Sequence, residues 1–209
     1  MPTISYAITV CNELDEIKTL LPFLYDSKRK QDEIVILQDI SKDYPELTTY
    51  LESFTVNGSD ILLVQQKFKN HFAEWKNLLT DYCRNDFIFQ IDADEVPHKD
   101  LIETLPLLLE QNKDVEVLLV PRVNTVTGLT NEHIAKWNWN VNEESWVNWP
   151  DYQWRIYKNT IDIRWINKVH ERLNGFKKYA TLPMVEEYAL YHPKHIDRQV
   201  KQNEYYETL

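Results

Sequence analysis

Apolar positions along the first part of the chain switch repeatedly between a period of two and a period near 3.6. Ile4, Tyr6, Ile8 and Val10 fall on one side of an extended segment, with Ser5, Ala7 and Thr9 on the other, which predicts a strand. Cys11-Asn12-Glu13 reads as a turn. Leu14, Ile17, Leu20, Leu21 and Leu24 then recur at helical spacing, and Pro22 is expected to kink or shorten that helix. Ile34 to Leu37 is a short apolar strand ending at Gln38-Asp39. Asp43 is expected to cap a helix opened by Tyr44-Pro45, with Leu47, Tyr50, Leu51 and Phe54 inward and Asn57-Gly58 closing it. Ile61 to Val64 gives a third strand. Phe72, Trp75, Leu78, Leu79 and Tyr82 mark a third helix, with Lys76 and Asn77 beside the stripe. The run Phe87-Ile88-Phe89-Gln90-Ile91 reads as a buried strand leading into Asp92-Ala93-Asp94-Glu95. Leu101, Ile102, Leu105, Leu108 and Leu109 stripe a fourth helix that starts near Lys99 and is interrupted by Pro106, and Val115 to Val120 is a fifth strand. Four β-then-α repeats in about 110 residues predict an α/β fold, a mostly parallel sheet with helices on both faces.

The pattern changes after Val123. Six of the seven tryptophans lie between Trp137 and Trp165, among Asn and Glu residues. Tyr152 to Tyr157 alternates as a strand, Ile163 to Ile166 is a candidate for another, and Asn174-Gly175 is a turn. Glu187 to His192 is expected to return to the sheet, and a polar helix to follow from Ile196. The 209 residues are read as one domain, with 124–209 an extension packed on 1–123.

Hydrophobic residues make up 43% of the chain, ordinary for a packed core. The net charge of −10 disfavours nucleic-acid and anionic-membrane partners, which require cationic surface. Met1 to Ser5 lacks the basic start of a secretory signal, and no run approaches the ~20 apolar residues of a membrane helix. Cys11 and Cys83 are too few and too far apart for a disulfide framework, so a reducing cytoplasmic setting is expected. With three glycines, no G-x-G-x-x-G or Walker loop can be written. A bound nucleotide would have to be held by side chains and a metal.

Asp92 and Asp94 are the strongest chemical signal. On a continued strand they would share one side, ~6.5 Å apart, with Ala93 facing away. Two carboxylates at the carboxyl end of a strand invite a hard divalent cation and a phosphate-bearing ligand. The bland alternative is that Asp92, Asp94 and Glu95 cap the next helix. Asp39 ends the second strand and could accept bonds from ribose or base hydroxyls, or simply shape a turn. Lys76 could pair with a phosphate or be a solvated lysine. The tryptophans could line an aromatic acceptor groove or build core. His170 and His192 are candidate metal ligands, and Glu171, then Asp151, candidate general bases.

Taken together, Thr9-Val10-Cys11-Asn12-Glu13, Gln38-Asp39-Ile40-Ser41-Lys42-Asp43, Lys76-Asn77 and Asp92-Ala93-Asp94-Glu95 resemble, in order and spacing, the motifs of the inverting GT-A glycosyltransferases of family 2. Pro150 to Tyr157, Trp165 and Val169-His170-Glu171 resemble the lipopolysaccharide-core glucosyl- and heptosyltransferase-like branch. The chain departs from the family pattern at Cys11, Ile40 and Lys76, where the family carries an aromatic residue, glycine and arginine. The resemblance implies a GT-A fold, with 1–123 binding a nucleotide-sugar and 124–209 facing the acceptor. It implies a donor site from Thr9, Val10, Cys11, Glu13, Asp39, Lys76, Asp92 and Ala93, favouring a UDP-sugar, and Mn²⁺ or Mg²⁺ on Asp94 and His192. Glu171, with Asp151 second, would deprotonate a glycan, lipid-linked or protein acceptor. Two rivals are open: a haloacid-dehalogenase-type phosphatase using Asp92 as nucleophile, and a non-catalytic sugar-binding module built on the tryptophans.

Overall fold

The computed structural model describes residues 1–55 and 60–206, so Asn57-Gly58 lies outside the described residues. The chain runs β1 (Ile4–Val10), α1 (Leu14–Ser27), β2 (Glu33–Asp39), α2 (Pro45–Ser53), β3 (Ile61–Gln66), α3 (Phe72–Tyr82) and β4 (Phe87–Asp92). It continues through β5 (Val96–Pro97), α4 (Lys99–Gln111), β6 (Val117–Val120), β7 (Arg122–Thr127), α5 (Asn131–Trp137), β8 (Gln153–Lys158) and β9 (Arg164–Ile166). β10 (Arg172–Asn174), β11 (Tyr179–Thr181), a 3-10 turn at Glu186–Tyr188, β12 (Leu190–His195) and α6 (Ile196–Tyr206) complete it.

The central sheet has seven strands in the order β11-β6-β8-β4-β1-β2-β3. Every neighbouring pair is parallel except the two made by β8, which runs antiparallel between β4 and β6. This is the expected α/β architecture with a mostly parallel sheet. Both faces are covered. On one, Ile17, Leu20, Leu21 and Leu24 of α1, Leu47 and Leu51 of α2, and Leu101, Ile102, Leu105 and Leu109 of α4 join Ile4, Tyr6 and Ile8 of β1. On the other, Ala73, Trp75 and Leu79 of α3, with Trp165 and Leu173 of the β9–β10 hairpin, meet Ala7, Val35, Ile88 and Tyr157. Burial of both faces explains why the strands read as near-continuous apolar runs.

Several local expectations are corrected. Pro22 and Pro106 neither end nor shorten their helices, which continue to Ser27 and Gln111. A proline inside a helix costs ~3 kcal/mol, but fully buried leucines on both helices supply tertiary packing that offsets it. The residue before α2 is Tyr44, not Asp43. Pro45 takes the first helical position, which leaves the preceding residue as the cap. α4 is capped by His98, whose Nδ1 accepts from the Asp100 N–H at 3.1 Å, so Asp92, Asp94 and Glu95 do not cap it. β4 stops at Asp92, and Ala93-Asp94 form a turn closed by the Glu95 N–H to the Asp92 carbonyl at 2.9 Å. Strand alternation therefore does not carry over to Asp94.

The last strand also departs from expectation. β12 begins at Leu190 and pairs with β7 and β5 in a separate three-stranded sheet rather than rejoining the main one. Pro121, between β6 and β7, has no N–H to continue the first ladder, and the chain leaves that sheet there. Its carbonyl instead accepts the Leu190 N–H at 2.9 Å. Of the clustered tryptophans only Trp165 is core; Trp137, Trp139, Trp146, Trp149 and Trp154 are half-buried. Among the described residues no helix is long and apolar enough to cross a membrane.

Gly175 follows the β9–β10 hairpin with φ +87°, and a Cβ there would lie 1.9 Å from the Asp162 carbonyl oxygen. Gly175→Ala is expected to lower stability by at least ~2 kcal/mol, from left-handed strain plus the clash. Urea unfolding checks this, and an unchanged midpoint counts against the tight approach.

Candidate active site

Parallel strands β1, β2 and β4 end side by side, with Thr9 opposite Asp92 and Val10 opposite Gln38 in the ladders. The acidic residues that end β2 and β4 are thereby delivered to one edge, where open α/β sheets bind ligands. What organises that edge is a cation from β8. Arg155 is 3% exposed. Its Nε donates to Glu95 Oε2 at 3.0 Å, and its Nη2 to Glu95 Oε1 and Asp92 Oδ2, both at 2.7 Å. Its Nη1 donates to Gln90 Oε1 at 3.1 Å and to the Trp154 carbonyl at 3.5 Å. Glu95, fully buried, also accepts from Arg122 Nη1 at 3.0 Å and from the Asp92 N–H at 3.2 Å.

Asp92 has a second cation. Lys76 is 5% exposed, so it is no solvated surface lysine. Its Nζ lies 3.7 Å from Asp92 Oδ1 and 2.6 Å from Glu171 Oε1, and 4.7 Å from the centre of the Trp165 ring. Thr9 Oγ1 and Gln90 Nε2 also donate to Asp92 Oδ1, at 3.1 and 2.9 Å. Burial opposes ionisation of Asp92, but Arg155 and Lys76 override it and hold the carboxyl well below its ordinary range. The carboxylate repulsion that pointed to a bridging cation at Asp92 is thus relieved by protein side chains.

Asp94 faces a different group. Its Oδ2 lies 3.4 Å from His192 Nε2 and 3.5 Å from Arg198 Nη2. His192 is 6% exposed, and burial lowers its pKa, with Asp94 opposing. Two ligand atoms at ~2.1 Å from a cation and at right angles lie ~3 Å apart, so this carboxylate and imidazole fit adjacent positions on Mn²⁺ or Mg²⁺. Among the described residues no group of three or more His, Cys, Asp or Glu is placed so that it could hold a metal ion, so His170 does not complete a site with Asp94 and His192. The remaining positions would belong to ligand oxygens and water, as is usual for Mg²⁺ with phosphates.

The first turn is shaped by Glu13. Its Oε2 accepts the Cys11 and Asn12 N–H groups at 2.7 and 3.0 Å, and its Oε1 accepts from Arg198 Nη2 at 3.1 Å. Asp39 Oδ1 accepts the Ser41 and Phe68 N–H groups at 2.8 and 3.0 Å, so it does shape the turn after β2. Its Oδ2 accepts from Cys11 Sγ at 3.5 Å, which joins the two turns. Burial, with Asp39 and Glu13 nearby, pushes the Cys11 thiol up to about 12. Val10 and Ala93 are buried, so their side chains back the site. Asp151 accepts from Arg122 and Asn124 on Oδ2 and from Gln153 on Oδ1.

Thr9, Cys11, Glu13, Asp39, Lys76, Asp92, Asp94, Asp151, Glu171 and His192 are therefore linked by short contacts along one edge. Sequence reasoning gave no role to Arg122, Asn124, Arg155 or Arg198. Arg155 carried a signal: a charged residue inside an aromatic strand is buried only when paired. Arg122 and Arg198 carried none, since their partners are distant in sequence.

The fold is that of the GT-A glycosyltransferases. The crystal structure of S. aureus TarS in complex with UDP matches with a TM-score of 0.63 at 15% identity, covering 91% of this chain and 60% of that one. The TarS complex with UDP-GlcNAc matches at 0.56 and 15% identity, covering 90% and 60%. Residues 5–177 match Glycosyl transferase family 2, and the chain belongs to that family. The amylovoran biosynthesis glycosyltransferase AmsB of Erwinia amylovora is 29% identical over 131 residues, 60% of this chain and 44% of that protein. The SPbeta prophage-derived glycosyltransferase SunS of Bacillus subtilis (strain 168) is 29% identical over 99 residues, 47% of this chain and 22% of that protein. The chain thus spans less than half the length of these curated relatives. Family membership does not favour the phosphatase or the non-catalytic sugar-binding alternative.

Two predictions follow from the charge network. Glu95→Gln leaves Arg155 and Arg122 short of a buried partner and is expected to cost about 3–5 kcal/mol in urea unfolding. Replacing Arg155 by Met as well should recover part of that loss; no loss in the single variant would contradict the network. Second, Asp92 and Asp151 are depressed against burial by Arg155 with Lys76 and by Arg122 with Asn124, and Asp39 by hydrogen bonds from Ser41 and Phe68. A depressed carboxylate contributes stability that is fully present above its unfolded pKa and lost as pH falls through the folded one. Unfolding free energy should therefore decline below about pH 4, and Asp92→Asn should flatten the decline. Glu13, raised chiefly by burial, works the other way but is a single group against several. Stability that rises on acidification below that pH would contradict the assignment.

Proposed function

We propose that this chain is a metal-assisted, inverting glycosyltransferase that moves a sugar from a UDP-sugar to a hydroxyl of a glycan, lipid-linked or protein acceptor. Surface-polysaccharide synthesis, of the lipopolysaccharide-core type or akin to it, is the setting. The observation that carries the reading is the meeting, at one sheet edge, of the Asp94–His192 donor pair with the Lys76–Glu171 ion pair. Family membership and the TarS complexes with UDP and UDP-GlcNAc support the donor class.

The turns carrying Thr9 to Glu13 and Asp39 would line the nucleotide. Mn²⁺ or Mg²⁺ held by Asp94 and His192 would supply Lewis acidity and charge neutralisation toward a departing diphosphate. Asp92 and Lys76 would act at the ribose and diphosphate side while tied to Arg155 and Glu171. Glu171 would accept the proton of the attacking acceptor hydroxyl, with its Oε1 2.6 Å from Lys76 Nζ. Asp151 is less suited as a base, since both its oxygens already accept bonds from Arg122, Asn124 and Gln153. Attack from the face opposite the diphosphate would invert the anomeric centre. The half-buried Trp137, Trp139, Trp146 and Trp149 pack in pairs 4.7 and 4.9 Å apart and offer apolar faces suited to sugar rings.

A panel of nucleotide-sugars with Mn²⁺, read by thermal shift and slow donor hydrolysis, tests the reading. A UDP-sugar is expected to give the largest shift. Asp94→Ala should stay folded and lose the Mn²⁺-dependent part of that shift. Glu171→Gln should keep donor binding and lower turnover ~10²–10⁴-fold. Full Mn²⁺-dependent activity in Asp94→Ala would overturn the metal assignment.

A further inference from the structure

Resting on the reading of Asp94 and His192 as a cation-binding pair, we infer that Asn124 is a positioning residue that fixes His192 as its Nδ1–H tautomer and thereby aims the Nε2 lone pair at Asp94. The ladder between β7 and β12 sets Asn124 directly opposite His192. Asn124 Oδ1 lies 2.7 Å from His192 Nδ1. Its Nδ2 donates to Asp151 Oδ2 at 2.7 Å and to the Val147 carbonyl at 3.3 Å.

The orientation of the Asn124 amide follows from its partners. The Val147 carbonyl can only accept. Asp151 Oδ2 already accepts two bonds from Arg122, at 3.0 and 2.7 Å, and is a carboxylate oxygen. A flipped amide would set its oxygen against both of these acceptors. The nitrogen therefore faces Asp151 and Val147, and the oxygen faces His192. An amide oxygen has no proton to give, so the bond to His192 forms only if Nδ1 carries the hydrogen. In the neutral ring Nε2 is then unprotonated, and it lies 3.4 Å from Asp94 Oδ2. Two lone-pair atoms at that separation repel each other unless a proton or a cation sits between them, and Arg198 Nη2, 3.5 Å from Asp94 Oδ2, relieves only part of that repulsion from the side. The backbone secures the arrangement as well: the Val147 N–H donates to the Asn124 carbonyl at 2.9 Å.

The chain of dependence runs Arg122, Asp151, Asn124, His192. It gives Asp151 a role other than that of a base, as the carboxylate that orients the amide. Residues that orient a metal-binding histidine typically change metal affinity 10–100-fold when lost.

The test has two arms. Long-range ¹H–¹⁵N spectra of the metal-free wild-type protein report which ring nitrogen of His192 is protonated. Mn²⁺ titration with UDP present, followed by electron paramagnetic resonance, compares wild type with Asn124→Leu. The expected result is an Nδ1–H signature in the wild type that is lost in the variant, with Mn²⁺ affinity falling ~10–100-fold. An Nε2–H tautomer in the wild type, or unchanged Mn²⁺ affinity in a folded Asn124→Leu, overturns the inference. The wild-type spectrum needs no substitution, so a misfolded variant does not shield it. If the wild type shows Nδ1–H that depends on Asn124 yet binds no Mn²⁺, the cation reading of Asp94 falls and the role of Asn124 in setting the tautomer stands.

Discussion

The guanidinium of Arg155 is the interaction on which the acidic edge of the central sheet depends. Removing such a group from water costs several kcal/mol, and the cost is offset only when its donors and charge are matched. Arg155 makes five contacts from its three nitrogens, to Glu95 twice, Asp92, Gln90 and the Trp154 carbonyl. Its position follows from topology. β8 is the one strand of the central sheet that runs against its neighbours. A strand entering from the opposite direction brings its early residues to the end where β4 finishes, and Arg155 meets Gln90, Asp92 and Glu95 there. With a parallel neighbour, residues at the same stage of the strand would lie at the other edge, away from the acids.

This arrangement divides the two aspartates of Asp92-Ala93-Asp94. Asp92, the last residue of β4, is held by Arg155 and Lys76. Asp94, two residues on in the turn, is directed to His192 of the small sheet and to Arg198 of α6. A carboxylate tied at 2.7 Å to one buried guanidinium and faced by a lysine is a poor partner for a divalent ion; Asp94, with Arg198 at 3.5 Å and an imidazole beside it, is less tightly held and better suited. The same spacing of two acids thus serves two purposes, and only the second resembles a ligand set. Glu95 makes the division possible: as a fully buried anion between Arg155 and Arg122, it ties the central sheet to β7.

The β–α repeats were legible because each helix stripe and apolar strand is a local pattern, and burial of both sheet faces strengthens it. The first four helices and strands β1 to β4 and β6 lie within a few residues of their expected places. What could not be read was set by partners far away in sequence. The expectation that Asp92 and Asp94 share a face assumed that β4 continued, but a turn held by its own backbone bond intervenes. Lys76 looked like any helix lysine, and its burial depends on Glu171, nearly a hundred residues on. Between Asn138 and His170 strands β8 and β9 fall where they were expected, but the turns around them resist pattern reading for a further reason. Asn138, Ser145, Asn148, Asp151, Asn167 and His170 all take positive φ, so the chain turns where no glycine marks it. The separate sheet of β5, β7 and β12 was missed because β5 is two residues long and β7 is mostly polar at its end.

That small sheet explains how the two halves of the chain come to share one site. β7 leaves the central sheet at Pro121 and carries Arg122 and Asn124, while β12 returns sixty-odd residues later with His192 opposite Asn124. Arg122 reaches back to Glu95 and forward to Asp151; Asn124 links Asp151 to His192. Glu95, Arg122, Asp151 and Asn124, which run from Arg155 to His192, are each bonded to the next residue on both sides. Such a chain constrains its end more tightly than a lone histidine on a strand would be constrained, because rotation of the imidazole must break the Asn124 bond, and reversal of the amide must set it against two acceptors. The polar interior of this edge is in that sense one structure, begun by Arg155 and ended at the Nε2 atom of His192.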